Sequence, residues 1–190
     1  FNRALVKSQT SDFKGAMSDY NMVLRLDPEN ALTYYNRGGL KARMKNFKAA
    51  IEDYNKVLQI NPDNYYTWFN RAIMWQYLEN YRKAIDDYSS AIKLNPVFAS
   101  AYYNRSLAKG AINDRYGAEM DRKAASAINA NFDDILKSGM VDSSGLAKMA
   151  EFKADFEDVD VSGKKDIPLE ISPFPNYLLL FDCISSNERE

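Results

Sequence analysis

Small and apolar residues recur along most of this chain at a fixed step of 34 positions. The series in phase are Ala4, Gly38, Ala72 and Ser106; Phe13, Phe47 and Tyr81; Ala16, Ala50, Ala84 and Ala118; Tyr20, Tyr54 and Tyr88; and Pro28, Pro62 and Pro96. So many positions in phase over four copies define an internal repeat, and a repeat of this kind decides the fold.

Each copy of the repeat predicts two helices. In the second copy the first helix runs from about Leu32 to Met44, and a break follows at Lys45-Asn46. The second helix ends at Asn61-Pro62, because a residue that precedes proline is displaced from the α region. One hairpin cannot bury its apolar face alone, so neighbouring hairpins must stack. The predicted helix pairs are 1–10/13–26, 32–44/47–60, 66–78/81–94 and 100–112/115–128.

An Asn-Arg pair follows an aromatic residue in every copy, and an aspartate lies 16 residues after each arginine. The arginine is on the first helix and the aspartate on the second, so an antiparallel hairpin brings them close. The planar guanidinium can donate two hydrogen bonds to a carboxylate. We therefore predict structural ion pairs, with a row of ligand-binding arginines as the alternative. The pairs are Arg3–Asp19, Arg37–Asp53, Arg71–Asp87 and Arg105–Asp121.

With these residues in place, the chain resembles the tetratricopeptide repeat proteins. That family has Trp, Gly, Tyr, Ala, Phe and Pro at fixed offsets, and Trp68 holds the tryptophan place. In every copy arginine stands where the family has leucine, and the fourth copy is degenerate. The resemblance covers residues 1–132 and implies an all-α fold, a solenoid of about four helical hairpins whose first repeat is truncated at its N-terminus.

The resemblance also implies a binding surface. In this family the first helix of each repeat lines a concave groove, where the recurring asparagines would form a row. A carboxamide both donates and accepts, so the row can pair with the backbone of an extended peptide; the alternative is that it binds only water. Some of the aromatic residues expected beside it could instead belong to the core. The predicted peptide-binding residues are Asn2, Asn36, Asn70, Asn104, Tyr35, Phe69, Tyr103, Tyr66 and Tyr77.

The expected ligand is neutral or apolar. Family members that clamp a C-terminal carboxylate use a lysine next to the asparagine, and this chain has phenylalanine or tyrosine there. One candidate is the chain's own C-terminal tail. After Phe132 the repeat is lost: residues 133–158 predict a capping helix from about Gly145, and residues 159–190 predict an extended or β-like segment. The apolar, proline-flanked part, Ile171 to Ile184, either occupies the groove, packs on the repeats, pairs with another chain or is disordered.

Composition narrows the function further. With 25 Lys+Arg against 26 Asp+Glu, the chain lacks the basic excess typical of nucleic-acid proteins. No apolar run reaches the roughly 18 residues of a transmembrane segment. There is no histidine, one cysteine and no phosphate- or metal-binding motif, so we expect no catalytic residues, metal or cofactor. The prediction is a non-catalytic protein–protein interaction scaffold. The alternatives are an assembly protein that forms homo-oligomers and the scaffold part of a longer enzyme.

Overall fold

The computed structural model describes the backbone of residues 1–137 and the side chains of residues 1–130. Every regular element in that part of the chain is an α-helix. The predicted helix boundaries agree with the structure to within one residue, except at the end of the last helix. The helices are α1 (Asn2–Gln9), α2 (Phe13–Leu26), α3 (Ala31–Arg43), α4 (Phe47–Ile60), α5 (Tyr65–Tyr77), α6 (Tyr81–Leu94), α7 (Ala99–Ala111) and α8 (Arg115–Lys137).

Short polar residues fix where the helices begin. The side chains of Asn30 and Asn64 accept a hydrogen bond from the backbone N–H three residues later, at 2.9 Å in both cases, and cap α3 and α5. Such caps satisfy backbone donors that a helix leaves without a partner. The second helices are capped in the same way by Asp12, Asn46 and Asn80.

Hairpins stack because each first helix inserts an apolar side chain into the preceding hairpin. Leu40 of α3 is 1% exposed and packs with Ala4, Ala16 and Tyr20 of the first hairpin. Met74 of α5 makes the equivalent contact with the second hairpin. Burying one such side chain stabilises the array by roughly 1.5–3 kcal/mol. The hairpins of residues 1–137 therefore form a continuous all-α solenoid.

The last helix is longer than predicted. The second helices of the first three repeats each end shortly before a proline, whereas Ala130 stands at that place in the fourth repeat. Without a proline the backbone continues in the α conformation, and α8 extends to Lys137 rather than ending near residue 128. The predicted capping helix from Gly145 and the extended segment 159–190 lie outside the described residues. None of the described helices is long and apolar enough to cross a membrane.

Candidate peptide-binding surface

The first helices of the repeats contact one another in sequence. Arg43 of α3 donates a hydrogen bond from Nη1 to the Ser8 carbonyl of α1 at 2.8 Å. Asn70 of α5 donates from Nδ2 to the Tyr35 hydroxyl of α3 at 2.8 Å, and α5 contacts α7. We call the partly or fully exposed side chains of α1, α3, α5 and α7 the first-helix surface. It includes the predicted asparagine row, Asn2, Asn36, Asn70 and Asn104.

Each arginine of the repeat donates two hydrogen bonds to the aspartate 16 residues later. Nε donates to one carboxylate oxygen and Nη2 to the other, at 2.6 to 2.9 Å. All four aspartates are buried. Bidentate geometry of this kind fixes the register of the two helices. The four pairs are Arg3–Asp19, Arg37–Asp53, Arg71–Asp87 and Arg105–Asp121.

Three of these arginines also bind the preceding repeat, which sequence reasoning missed. Nη1 of Arg71 donates to Asn55 Oδ1 at 2.7 Å, and the Trp68 ring lies 4.7 Å from the guanidinium. The equivalent acceptors are Asn21 for Arg37, at 2.7 Å, and Ser89 for Arg105, at 2.9 Å. All three guanidinium nitrogens are therefore used within the chain. These arginines are structural cations, and they are not arranged to receive a ligand.

A second cation reaches the aspartate in three of the four repeats. Lys7, Lys41 and Lys109 donate to the same carboxylates at 3.0, 2.8 and 2.9 Å. In the third repeat Trp75 occupies the lysine position. The spacing of these lysines was visible in the sequence, but their shared partner was not.

The carboxyl groups of Asp121 and Asp87 have pKa values that shift in opposite directions. Burial raises the pKa of Asp121, but the hydrogen bonds from Arg105 and Lys109 outweigh burial and hold that pKa below its ordinary value. At Asp87, which has one cation partner among the described residues, burial outweighs the hydrogen bonds from Arg71 and Trp75, and the pKa is raised. The third repeat thus has no excess positive charge beside its aspartate, whereas the other three each have one surplus cation.

Two members of the asparagine row have an unused acceptor. Asn36 and Asn104 each donate from Nδ2 to the carbonyl four residues earlier in their own helix, at 2.9 and 2.8 Å. Within the described residues no donor reaches their Oδ1 atoms. Asn70 instead donates to Tyr35, and Asn2 is exposed on the first turn of α1. Carboxamide oxygens are thus available along the first-helix surface.

The predicted aromatic residues divide into core and surface. Phe69 is 2% exposed, since its ring packs between Tyr88 and Phe98 at 5.6 and 4.8 Å. Its prediction as a surface contact residue was therefore wrong. Tyr103, in contrast, is 43% exposed. The remaining three are partly covered by other rings: Tyr35 by Tyr54, Tyr66 by Phe98 and Tyr77 by Phe47.

Phe98 is a buried residue beside this surface that sequence reasoning overlooked. The equivalent positions in the preceding repeats are the capping residues Asn30 and Asn64, but Phe98 makes no side-chain cap for α7. Its ring instead meets Tyr65 and Tyr66 edge-on at 5.3 and 5.5 Å. The loss of a cap residue in one copy was the available signal. The result is an aromatic cluster where the third repeat meets the fourth.

Comparison with known sequences places the chain in a family. The family described as Tetratricopeptide repeat matches residues 31–64 and 65–98, in phase with the second and third copies. Together with the helical hairpins, this shows that the chain contains tetratricopeptide repeats. A search of curated protein sequences finds no match.

Solved structures of similar fold agree with this assignment. A crystal structure of MamA is 26% identical, with a TM-score of 0.65, over 68% of this chain and 75% of that one. MamA from Desulfovibrio magneticus RS-1 is 16% identical, with a TM-score of 0.64, over 67% and 72%. A tetratricopeptide repeat protein from Parabacteroides merdae ATCC 43184 is 23% identical, with a TM-score of 0.65, over 68% and 52%. The family and these neighbours support a protein-interaction scaffold.

Proposed function

We propose that the chain is a non-catalytic scaffold that binds an extended, neutral or apolar peptide segment along the first-helix surface. One observation carries the proposal. The repeat arginines form hydrogen bonds within the chain, while the Oδ1 atoms of Asn36 and Asn104 accept from no donor among the described residues. The recognition chemistry left on this surface is carboxamide and aromatic, which suits a peptide backbone better than a charged terminus.

Competition within the chain does not prevent this binding mode. Asn36 and Asn104 each donate a side-chain N–H to a carbonyl of their own helix. The side-chain oxygen of each asparagine can still accept a hydrogen bond from a peptide N–H. A ligand therefore need not break an internal hydrogen bond to use that oxygen. Each such hydrogen bond contributes roughly 0.5–1.5 kcal/mol to binding. Several of them in a row therefore favour a ligand whose backbone is extended.

The test is binding of fluorescent peptides selected from an array of neutral, extended sequences, measured by anisotropy with the full chain. Asn36→Ala and Asn104→Ala should each weaken the selected peptides by about fivefold. Gln59→Ala is the matched control, since it removes an exposed carboxamide from the second helix α4. Equal affinities for the asparagine variants and the wild-type chain would contradict the proposal.

The chain's own tail supplies one ligand for the same assay. A synthetic peptide of residues 171–184 is apolar and flanked by proline, which suits the expected binding mode. We propose that it binds the full chain more weakly than it binds a chain truncated after residue 158, because a tethered copy competes at an effective concentration near the millimolar range. Equal binding by both chains would contradict occupancy of the surface by the tail.

A further inference from the structure

Planar side chains from one repeat cover aromatic rings of the repeat before it. The guanidinium of Arg43 lies 4.8 Å from the centre of the Phe13 ring. The Tyr77 ring stacks on Phe47 at 4.6 Å, with an angle of 6° between the planes. In both cases the ring belongs to the first residue of a second helix, and the covering residue ends a first helix 30 positions later. The contact is therefore a recurring feature of the repeat junction.

Within the described part of the chain, the third aromatic ring in this series has no planar side chain covering it. The ring there is Tyr81, the first residue of α6, and the residue 30 positions later is Ala111, the last residue of α7. A methyl group cannot cover a ring. Gly110 precedes it, and a Cβ placed on Gly110 would meet no heavy atom within 4 Å. Among residues 1–130 no ring or cationic group covers the half-buried Tyr81. We call the half-buried ring of Tyr81 together with the exposed Gly110 and Ala111 the Tyr81 notch.

Arg82 and Lys83 follow Tyr81 in the sequence, and Lys109, which precedes Gly110, pairs with Asp121. The end of α5, however, has no cation of its own. The first helices α1, α3 and α7 each carry a basic residue in the last turn, and α5 carries none. The C-terminal carbonyls of α5 therefore lack the cation that usually stabilises a helix end. Glu79 lies two residues after the end of α5, and Asp87 faces one cation because Trp75 replaces the lysine. The nearby ammonium of Lys83 is engaged with the Trp75 ring at 4.3 Å.

Arg43 shows how a guanidinium fits such a place. While it stacks on Phe13, its Nη1 donates to the carbonyl and hydroxyl oxygens of Ser8 at 2.8 and 3.2 Å. The residue two repeats after Ser8 is Gln76, near the end of α5. By the symmetry of the repeat, a guanidinium stacked on Tyr81 would place its N–H groups beside the Gln76 carbonyl. An aromatic ring could stack there but could not use that oxygen.

We propose that the Tyr81 notch binds an arginine side chain of the protein partner. This inference rests on the proposed function and specifies it: the bound segment is neutral or apolar along the asparagine row and carries one arginine where the third repeat meets the fourth. A cation is accepted there because, in the repeats that the structure describes, Asp87 of this repeat is paired with one cation, whereas the equivalent aspartates are each paired with two. At the other junctions the chain supplies the covering group itself.

The experiment selects peptides from a displayed library of random 12-residue sequences on the full chain. The selected peptides should share one arginine, and replacing it with alanine should weaken binding by about tenfold. Tyr81→Leu and Ala111→Arg should each produce the same loss, the second by filling the notch from within. Tyr81→Phe keeps the ring and should bind normally. Selected peptides without a shared arginine would overturn this inference while leaving the proposed function in place, and a library that yields no binder would overturn both.

A second measurement tests the notch without any ligand. Ala111→Arg should raise the melting temperature above that of Ala111→Gln, which introduces a shorter polar side chain without a guanidinium. In the Tyr81→Leu background the two variants should melt alike, because the ring that the guanidinium stacks on is gone. If the arginine and glutamine variants differ in melting temperature by the same amount with and without the Tyr81 ring, the notch does not have the geometry of the Arg43–Phe13 contact. The inference is then wrong.

Discussion

Arg71→Met and Arg37→Met remove equivalent arginines from two ion pairs that differ mainly in the residue beside the aspartate, Trp75 in the third repeat and Lys41 in the second. Both arginines have side chains 17% exposed and donate twice to a buried aspartate. After Arg37 is removed, Lys41 still contacts Asp53 at 2.8 Å. After Arg71 is removed, no cation remains on Asp87 among the described contacts, because Trp75 stands in the lysine position. Methionine keeps the apolar stem in both variants, so lost packing is small and similar.

The expected costs follow from that difference. Leaving a buried charge without its partner costs about 3–5 kcal/mol. Because the hydrogen bond from Trp75 to Asp87 remains, we expect the lower end of this range for Arg71→Met. Losing charge-assisted hydrogen bonds while a second cation remains costs about 1.5–3 kcal/mol, which we expect for Arg37→Met. Both variants also lose the bond from Nη1 to an asparagine of the preceding repeat, so this loss cancels in the comparison.

The dependence on pH gives an independent check of the Arg71→Met result. Burial already raises the pKa of Asp87 above 3.8, its ordinary value, and removing Arg71 raises it further. A raised folded-state pKa means that the folded protein holds the proton more tightly than the unfolded chain. The destabilisation is therefore complete at pH values above the raised pKa. It shrinks as the pH falls through that pKa and Asp87 takes up its proton.

Urea unfolding at several pH values measures these effects. Circular dichroism reports all the repeats, and fluorescence reports the third repeat, since Trp68 and Trp75 both belong to α5. Coincident transitions would show that the array unfolds as one unit. Equal losses of stability for the two arginine variants would refute the reasoning, as would a loss for Arg71→Met that does not change with pH.

Two further predictions concern single buried groups. Thr67 is fully buried and its hydroxyl has no hydrogen-bond partner within the described residues, whereas the Thr33 hydroxyl donates to Asn30 at 2.7 Å. Thr67→Val should therefore be neutral or stabilising, and Thr33→Val should cost about 1 kcal/mol; thermal unfolding would contradict this if both variants lose equal stability. Lys109→Met should raise the pKa of Asp121, which the wild-type chain holds below its ordinary value. Titration of the carboxyl carbon by NMR measures the change, and an unaltered pKa would show that the lysine contact is not maintained in solution.

Spacing along the chain predicted the contacts that lie within one hairpin. A separation of 16 residues between Arg37 and Asp53 suffices, because two antiparallel helices joined by a short turn have one main way to face each other. The contact from Arg37 to Asn21 was not predictable in the same way. It depends on how far one hairpin rotates against the next, and that rotation is a property of the packed core rather than of local spacing.

The same limit explains the aromatic residues that were misplaced or missed. Tyr35 and Phe69 occupy equivalent repeat positions, but Phe69 is buried because Phe98, from the end of its own repeat, packs against it. Helical periodicity predicts the direction in which a side chain points. It does not predict that Phe98, 29 positions after Phe69, will cover that side chain. The length of α8 was missed for a simpler reason: a missing proline was taken as repeat degeneracy rather than as continuation of the helix.

Side-chain amide resonances of the asparagine row test the central claim most directly. With a selected peptide added to the isotope-labelled full chain, the claim predicts that the Nδ2 signals of Asn36, Asn70 and Asn104 shift together and saturate with the affinity of the peptide. The carboxamide signal of Gln59 on α4 should stay in place. Shifts confined to the second helices, with the three asparagine signals unmoved at saturation, would contradict peptide binding on the first-helix surface.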